Sequence, residues 1–333
     1  GFVKASVQII EARDPCTSGH SERVADLTVR LSEEASSLTH GTLASIYFSD
    51  RQLQEIRYAA LLHDFGKVGV PEAILVKAKK LFPLQLDVIK GRFALIRRTL
   101  EMDCAQAKYR HLLEHPSHRP THAETPDTEC AHCQALTQLD HDLEAKLAEL
   151  DHYWEVLQEA NEPRVLAEEP LKQLRELSQY VYKDIDGVYK PLISPEEMEQ
   201  LIVRRGNLTE PEREAIQSHV THTYEFLKRI PWTKELQGVP NIAYGHHEKL
   251  DGTGYPQGLK QADIPVQSQI MAIADIYDAL TAGDRPYKRS LSPESALKIL
   301  KQEASHNKLN LDLVELFEHR QVFSVLNHVL ADL

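Results

Sequence analysis

The sequence predicts an all-α fold, and two observations support this expectation. Apolar residues recur at spacings of three and four over residues 25–35, 53–62, 211–227 and 294–302, which is the spacing along one face of an α-helix. The sequence has no regular series of short alternating segments joined by hairpin turns, although a β-sandwich or barrel would require one. The chain is therefore expected to be mainly helical.

Composition and charge restrict the class of protein. The chain has 333 residues, of which 42% are hydrophobic, so two domains, or one large domain with an insertion, have enough apolar material for a core. The 38 Lys and Arg residues against 50 Asp and Glu residues give a net charge of −12, which argues against binding to a nucleic acid duplex by replacement of its counterions. No apolar run approaches the roughly 20 residues of a transmembrane helix, so no membrane span is expected in this chain.

Cysteine usage and the first residue bear on the cellular context. Four cysteines in so long a chain do not form a disulfide framework, so we expect a reducing compartment, the cytoplasm. No charged and then apolar signal segment is visible near the start of the sequence. The chain begins with Gly1 rather than Met, so we expect a fragment of a longer protein, in which a sensory domain would lie outside this sequence.

The middle of the chain differs from the rest. Residues 112–126 are polar and rich in Pro and His, which predicts a loop. After this loop, apolar residues recur at steps of three and four, which places one stripe along a helix. The stripe either packs a helical hairpin on its own domain or forms the coiled-coil seam of a homodimer. Its members are Leu139, Leu143, Leu147, Leu150, Trp154 and Leu157.

Histidines and aspartates with the chemistry of metal ligands fall in separated segments. His20 stands at a predicted helix start, and an adjacent His63-Asp64 pair ends an apolar helix just before a glycine. Imidazole and carboxylate suit first-row divalent ions. A carboxylate can also bridge two ions about 3.5–4 Å apart, which together activate a water and neutralise a phosphate. The other candidates in the same chemical class are His219, His246, His247 and Asp275.

The order of these residues resembles a known family. His20, His63-Asp64 and Asp275 are similar to the four-ligand signature of the HD phosphohydrolase superfamily. The run His63-Asp64-Phe65-Gly66-Lys67, together with the string HHEKLDGTGYP at residues 246–256, resembles the HD-GYP subgroup, which hydrolyses cyclic di-GMP. The resemblance covers about residues 1–97 and 206–305. It implies an HD-type helical bundle that holds a metal cluster, with a large helical insertion.

The resemblance also implies roles for individual residues. Asp64 would bridge the two metals, and Lys67 would contact the phosphate or its bridging water, so these two are the predicted catalytic residues. The first metal would be held by His20, His63, Asp64 and Asp275, and the second by Asp64, His219, His246 and His247. The substrate would be bound by Arg285, Lys288, Gly254, Tyr255 and Pro256. Iron or manganese is expected in both sites, with zinc, nickel or cobalt as alternatives.

Two departures from the family pattern carry consequences. Some members have a glutamate four residues before the first histidine, which completes a third metal site. Cys16 stands at that position here, so two metals are predicted rather than three. Residues 282–284 make the spacing before Arg285-Pro286-Tyr287-Lys288 one residue longer than is usual in the family. The match of Arg285 and Lys288 to the family's phosphate-binding pair depends on this spacing.

The predicted function is hydrolysis of cyclic di-GMP to pGpG, GMP or both, by a water activated between two metal ions. Because the chain is acidic, Lys67, Arg285 and Lys288 would have to make the cleft locally positive for an anionic substrate. One alternative is a catalytically weak cyclic-dinucleotide receptor that signals to a protein partner. Another is a phosphodiesterase for a different cyclic dinucleotide.

Residues 82–205 are predicted to be a helical insertion between the first part of the domain, 1–81, and its second part, 206–333. The insertion contains Cys130 and Cys133 in a Cys-x-x-Cys pattern, with His115, His118 and His122 just upstream, of which His118 and His122 are the candidate ligands. Two cysteines and two histidines at such spacing permit a tetrahedral zinc site. The alternatives are two incidental cysteines at a junction between loop and helix, or a redox pair.

Overall fold

The computed structural model describes residues 2–13, 19–116, 130–283 and 290–330 of the chain. Within these ranges the protein is helical apart from loops and one two-stranded sheet. This confirms the predicted all-α fold. The described residues include no helix that is long and apolar enough to cross a membrane.

The chain divides into two compact units, and the first is built from two separated segments, Gly1–Val76 and Glu210–Leu333. Its helices in the first segment are α1 (Phe2–Arg13), α2 (His20–Ser36), α3 (Asp50–Leu62) and the short α4 (Glu72–Leu75). Those in the second segment are α9 (Glu210–Leu227), α10 (Val239–Tyr244), α11 (Val266–Thr281), α12 (Pro293–Ser305) and α13 (Leu311–His319). Short 3₁₀ helices span Phe65–Gly69, Lys234–Leu236 and Val322–Leu326.

Helix α11 lies at the centre of the first unit. Its Ile270, Met271 and Ile273 have no exposed surface, and a helix that is apolar on most of its faces is a buried one. It packs on α2, which in turn packs on α3. A capping box formed by Ser49 and Gln52 fixes the start of α3. The core of this unit therefore joins helices from both segments of the chain.

The second unit, Lys77–Thr209, contains the other elements. They are α5 (Pro83–Glu114), α6 (Ala131–Asn161), α7 (Glu168–Leu177), β1 (Val181–Lys183), β2 (Tyr189–Pro191) and α8 (Pro195–Leu201). Strands β1 and β2 pair antiparallel, with Tyr182 opposite Lys190. The sequence analysis did not predict this sheet, because strands of three residues are too short to show alternation.

Helices α5 and α6 pack against each other as a hairpin. Leu150 and Leu157 of the predicted stripe are buried in the core of this unit, and the ring of Trp154 lies 5.1 Å from that of Phe93 on α5. These three members of the stripe therefore pack within the second unit. A homodimer through this region stays a prediction. Helix α5 continues to Glu114, past the start of the predicted loop at residue 112.

Hydrogen bonds bring the two ends of the second unit together. The side-chain amide of Asn207 donates to the carbonyl of Lys77. Nearby, the buried ammonium of Lys80 donates to the carbonyl of Leu201 over 3.0 Å, and the backbone N–H of Lys80 donates to the carbonyl of Asn161 over 3.1 Å. The unit thus begins and ends at neighbouring points. That residues 82–205 are an insertion into one domain remains a prediction.

Candidate metal centre

The seven predicted metal ligands lie in the first unit, at the ends of helices and on helix faces turned inward. His20 is the first residue of α2, His63 follows the last residue of α3, and Asp64 precedes the 3₁₀ helix Phe65–Gly69. The other four come from the second segment of the chain: His219 on α9, His246 and His247 after α10, and Asp275 on α11. The structure brings all seven together.

Asp64 lies at the middle of this group and is 4% exposed. Its Oδ2 atom is 3.4 Å from Nε2 of His63 and 3.7 Å from Nε2 of His20. Its Oδ1 atom is 3.2 Å from Nε2 of His219. The two oxygens of one carboxylate therefore face different histidines, which is the arrangement a bridging ligand needs.

The remaining ligand atoms complete overlapping sets. Within each set, the candidate ligand atoms lie within 4.8 Å of one another. The sets are His20, His63 and Asp64; His63, His246 and Asp275; and His219, His246 and His247. Because His63 and His246 each occur in two sets, the sets form one continuous cluster rather than separate sites.

Three of these histidines have their ring orientation set by the backbone. In His63, His219 and His246, the Nδ1–H donates to the carbonyl three residues earlier, over 2.6 Å in each case. That bond leaves Nε2 as the nitrogen with a lone pair directed inward. Among the described residues, these three Nε2 atoms are buried without a well-directed hydrogen bond. Buried imidazole nitrogens rarely lack a hydrogen-bond partner. A metal ion would bind their lone pairs, so this set of donors fits a metal.

Burial controls the charge of the imidazoles. It lowers the pKa of His63 and lowers that of His246 well below its usual value. Burial also lowers the pKa of His247, to about 4. These rings are therefore neutral near pH 7, as ligation requires. Burial raises the pKa of Asp64, but Lys67 and the adjacent histidines outweigh it and hold that carboxyl well below its usual pKa, so it is ionised.

His20 has a different environment because two further carboxylates flank it. Its Nδ1 donates to Oδ2 of Asp278 over 2.7 Å, and its Nε2 lies 3.3 Å from Oδ1 of Asp275. Burial alone would lower the pKa of His20, but these carboxylates raise it to about 9. Arg23 also donates to Asp278, over 2.6 and 3.1 Å. Asp278 thus orients a histidine that is predicted to be a metal ligand, and carboxylates commonly do so around protein metals.

Sequence reasoning did not single out Asp278, although a signal was available. Asp278 follows Asp275 by three residues on α11, and residues at that spacing share a helix face. The side chain is 1% exposed, and a buried carboxylate is rare without a partner. The sequence alone does not show that His20 and Arg23, more than 250 residues away, are those partners.

Gly66 and Thr223 hold the His63-Asp64 turn against α9. A Cβ atom on Gly66 would lie 1.9 Å from the carbonyl oxygen of His219, so only glycine fits without movement of the backbone. The N–H of Gly66 donates to Oγ1 of Thr223 over 2.8 Å, and that hydroxyl donates to the carbonyl of His63 over 3.0 Å. Thr223, which the sequence analysis missed, is fully buried. It therefore couples the segment that carries Asp64 to the helix that carries His219.

Lys67 lies beside the cluster. Its Nζ is 2.8 Å from Oδ2 of Asp64, and its side chain is 17% exposed. The lysine therefore places a positive charge where the cluster meets solvent. Its predicted contact with the phosphate or the bridging water stays a prediction.

The turn at Gly254-Tyr255-Pro256 packs against the second histidine pair. The ring of Tyr255 lies 4.7 Å from that of His247, and the Tyr255 N–H donates to the carbonyl of His247 over 3.2 Å. A Cβ on Gly254 would lie 2.3 Å from the backbone nitrogen of Lys249, so glycine is needed there. Glu248, a member of the motif to which the sequence analysis gave no role, is buried and accepts from the N–H groups of Gln257 and Leu259 over 2.7 and 2.8 Å.

Several predicted site residues lie outside the part of the chain that the structure describes. They are Arg285, Lys288, His118 and His122; Cys16, the basis for predicting two metals rather than three, also lies outside it. Cys130 and Cys133 are described; they lie at the start of α6, in the second unit. The roles predicted for all of these residues stay predictions.

Comparison with known proteins agrees with the geometry. An HD domain matches residues 17–150, and a second HD domain match covers residues 192–312. The chain is 38% identical over 102 residues to 3'3'-cGAMP-specific phosphodiesterase 3 of Vibrio cholerae, which is 31% of this chain and 21% of that protein. It is 35% identical over 119 residues to a cyclic di-GMP phosphodiesterase of Thermotoga maritima, which is 36% of this chain and 32% of that protein.

A third relative is the cyclic di-GMP phosphodiesterase response regulator RpfG of Xanthomonas campestris, 37% identical over 102 residues, or 31% of this chain and 26% of that protein. The chain thus matches between a fifth and a third of the length of these curated relatives. The two HD domain matches contain all seven residues of the cluster. The chain therefore belongs to the HD domain family, and to the HD-GYP group within it.

Proposed function

We propose that the chain is a metal-dependent phosphodiesterase that hydrolyses a cyclic dinucleotide, with cyclic di-GMP as the substrate and pGpG or GMP as the product. One observation carries the proposal: five histidines and two aspartates form a buried cluster in which the oxygens of Asp64 face different histidines. Such a set of imidazoles around a shared carboxylate suits two divalent first-row ions. The buried Nε2 atoms described above support the same assignment.

We assign the ligands of the two ions from the two carboxylate oxygens of Asp64, which face different histidines. One ion would be held by His20, His63, Asp64 and Asp275, and the other by Asp64, His219, His246 and His247. Mixed imidazole and carboxylate ligands suit iron or manganese as well as zinc, nickel or cobalt. When bound, such a pair of ions offsets the charge of a phosphodiester and lowers the pKa of a water towards neutrality.

The chain's own residues would prepare the site for that chemistry. Asp278 and Arg23 hold His20 in one orientation, and backbone carbonyls do the same for His63, His219 and His246. Lys67 holds Asp64, and since a lysine ammonium has three N–H donors, it can also contact a phosphate oxygen. Rigid positioning of this kind lowers the cost of reorganisation when charge develops in the transition state.

The substrate class is supported by the named activities of the relatives. Those relatives are phosphodiesterases of cyclic di-GMP and of 3'3'-cGAMP, which share two phosphodiester bonds and at least one guanine. In this chain, Arg285 and Lys288 would contact the phosphates, and the turn at Gly254, Tyr255 and Pro256 would shape the pocket near a base. Both substrates are therefore tested in parallel.

The direct test is turnover by the metal-loaded chain. The protein is stripped with a chelator, reloaded with Fe²⁺ without oxygen or with Mn²⁺, and incubated with cyclic di-GMP or 3'3'-cGAMP. Chromatography of the products should show pGpG or GMP from cyclic di-GMP, at a rate that exceeds the rate with 3'3'-cGAMP. Turnover of 3'3'-cGAMP without turnover of cyclic di-GMP would show that 3'3'-cGAMP is the substrate instead.

A matched pair of variants on α9 ties the activity to the cluster. His219→Ala should abolish turnover and lower the metal content. His222→Ala, which changes an exposed histidine one turn further along the same helix, should leave both unchanged. Tight binding of cyclic di-GMP by the loaded wild-type chain, without turnover under any metal, would overturn the proposal in favour of a receptor.

A further inference from the structure

A second group of histidines lies in the second unit, at the tip of the hairpin formed by α5 and α6. His111 is in the last turn of α5, His115 follows its end, and His132 is in the first turn of α6. A candidate ligand nitrogen of each lies within 4.8 Å of those of the other two. The ring centroids are 4.5 Å apart for His111 and His115, 4.2 Å for His115 and His132, and 5.5 Å for His111 and His132.

The backbone orients this group as it orients the cluster in the first unit. Nδ1–H of His115 donates to the carbonyl of His111 over 2.8 Å, which leaves Nε2 of His115 with its lone pair available as a ligand. Among the described residues, Nε2 of His111 is one of the few buried side-chain nitrogens without a hydrogen-bond partner. The other histidine nitrogens of that kind are those of His63, His219 and His246, all in the candidate metal centre.

The composition of the group points to a particular ion. His111, in the last turn of α5, and His115, just past its end, are four residues apart, and their rings lie side by side. All three ligands are imidazoles, and the set contains no carboxylate. Three imidazole ligands with an open fourth position suit a zinc-class ion better than magnesium, calcium or manganese, which prefer oxygen.

We propose that His111, His115 and His132 bind one Zn²⁺ ion at the tip of this hairpin, with solvent in the fourth position. The ligand set differs from the one that the sequence predicted, in which Cys130 and Cys133 were joined by His118 and His122. His132 lies between those two cysteines, so the same short segment supplies the site through its imidazole. Bound zinc fastens the end of α5 to the start of α6.

Zinc bound at this site would increase the folding stability of the hairpin. The two helix ends are joined through residues 116–130, and an ion that ties them together binds the folded hairpin but not the unfolded chain. Binding of this kind adds to folding stability. At a free zinc concentration of about 100 times the dissociation constant, the folding equilibrium of the hairpin shifts about 100-fold towards the folded state.

The first experiment counts zinc in the full chain. Chelator-stripped protein is equilibrated with Zn²⁺, desalted, and analysed by inductively coupled plasma mass spectrometry. His111→Ala and His132→Ala should each bind one zinc fewer than the wild type, whereas His141→Ala should match it. His141 is on the same helix as His132, and its side chain is 66% exposed, which makes it a matched control.

The second experiment needs no variant, so it remains decisive if His111→Ala fails to fold. Diethyl pyrocarbonate modifies free imidazole nitrogens, and mass spectrometry locates the modified residues in the wild-type chain. Zn²⁺ at about 100 times the dissociation constant should slow modification of His111 and His115 about 100-fold, because only the ion-free fraction reacts. His141 should react at the same rate with and without zinc.

Two results would overturn the proposal. One is that zinc leaves the modification rates of His111 and His115 unchanged. The other is that the extra zinc persists in His111→Ala but is lost in Cys130→Ser or Cys133→Ser, because the ion would then belong to the cysteines.

Discussion

The hydroxyl of Thr223 offers a sharp test of how the centre is held together. Thr223→Val keeps the shape of the side chain and removes the hydroxyl. The N–H of Gly66 then loses its acceptor at 2.8 Å, and the carbonyl of His63 loses a donor at 3.0 Å. Because Thr223 is fully buried, water cannot replace either partner without opening the packing between α9 and the turn.

The magnitude follows from these two bonds. A buried N–H left without an acceptor costs about 1–3 kcal/mol, and the loss of an ordinary hydrogen bond costs about 0.5–1.5 kcal/mol. We therefore expect Thr223→Val to lower the free energy of unfolding of the first unit by about 1.5–4.5 kcal/mol. Thr223→Ser keeps both bonds and loses one methyl group, which costs about 0.8 kcal/mol.

The assay uses the chain's two tryptophans, one in each unit. Trp154 lies in the second unit and Trp232 in the first. In a Trp154→Phe background, the fluorescence of Trp232 therefore reports urea unfolding of the first unit. Metal affinity is measured on the same proteins, and we expect it to fall about 10- to 100-fold in Thr223→Val, because the residue orients the segment that carries Asp64.

The comparison between the two variants decides the matter. If Thr223→Val is as stable as Thr223→Ser and binds metal equally well, the hydroxyl does not hold the turn. The link between His63 and α9 would then rest on apolar packing alone.

Three further predictions concern the ligands, the substrate and the second unit. Asp64→Asn should deplete metal from both sites, as measured by metal analysis, and a variant that still retains two ions would exclude Asp64 as the bridge. Arg285→Ala and Lys288→Ala should each weaken substrate binding about 10- to 100-fold, because a charge-assisted contact is worth about 1.5–3 kcal/mol. The metal content of both variants should stay constant. An unchanged KM in both variants would place the phosphate site elsewhere. Replacement of residues 82–205 by a short Gly/Ser linker should preserve both metals, because no proposed ligand of that centre lies within it; a folded deletion that had lost them would show that the second unit completes the site.

The sequence predicted the features that depend on local pattern. Helical periodicity was sufficient to predict α2, α3, α9 and α12, because an amphipathic face repeats within each helix. The stripe on α6 was predicted as well, although its packing partner α5 was not. The three-residue strands β1 and β2 were missed because they are shorter than any pattern that could identify them.

The residues of the candidate site also fall into two groups, those that belong to local motifs and those that depend on distant partners. His63-Asp64 and the string at residues 246–256 are local motifs, so the sequence pointed to them directly, and the structure brings them together. Thr223 and Asp278 were missed because what makes each of them important is a partner 160 or 258 residues away. The grouping of His111, His115 and His132 at the hairpin tip was missed for the same reason, since His132 meets His111 only when α6 folds back on α5.

The division of the first unit into two segments has a consequence for how the protein is made. The hydrogen bond between His20 and Asp278 joins residues 258 apart, and the second unit lies between them in the chain. At about 5–20 residues per second, a ribosome needs about 13–50 s to cover that distance. During this interval α2 has been synthesised without α11, the helix that packs on it. The second unit is complete before that helix exists, so on the ribosome the inner part of the sequence can fold first and the metal centre last.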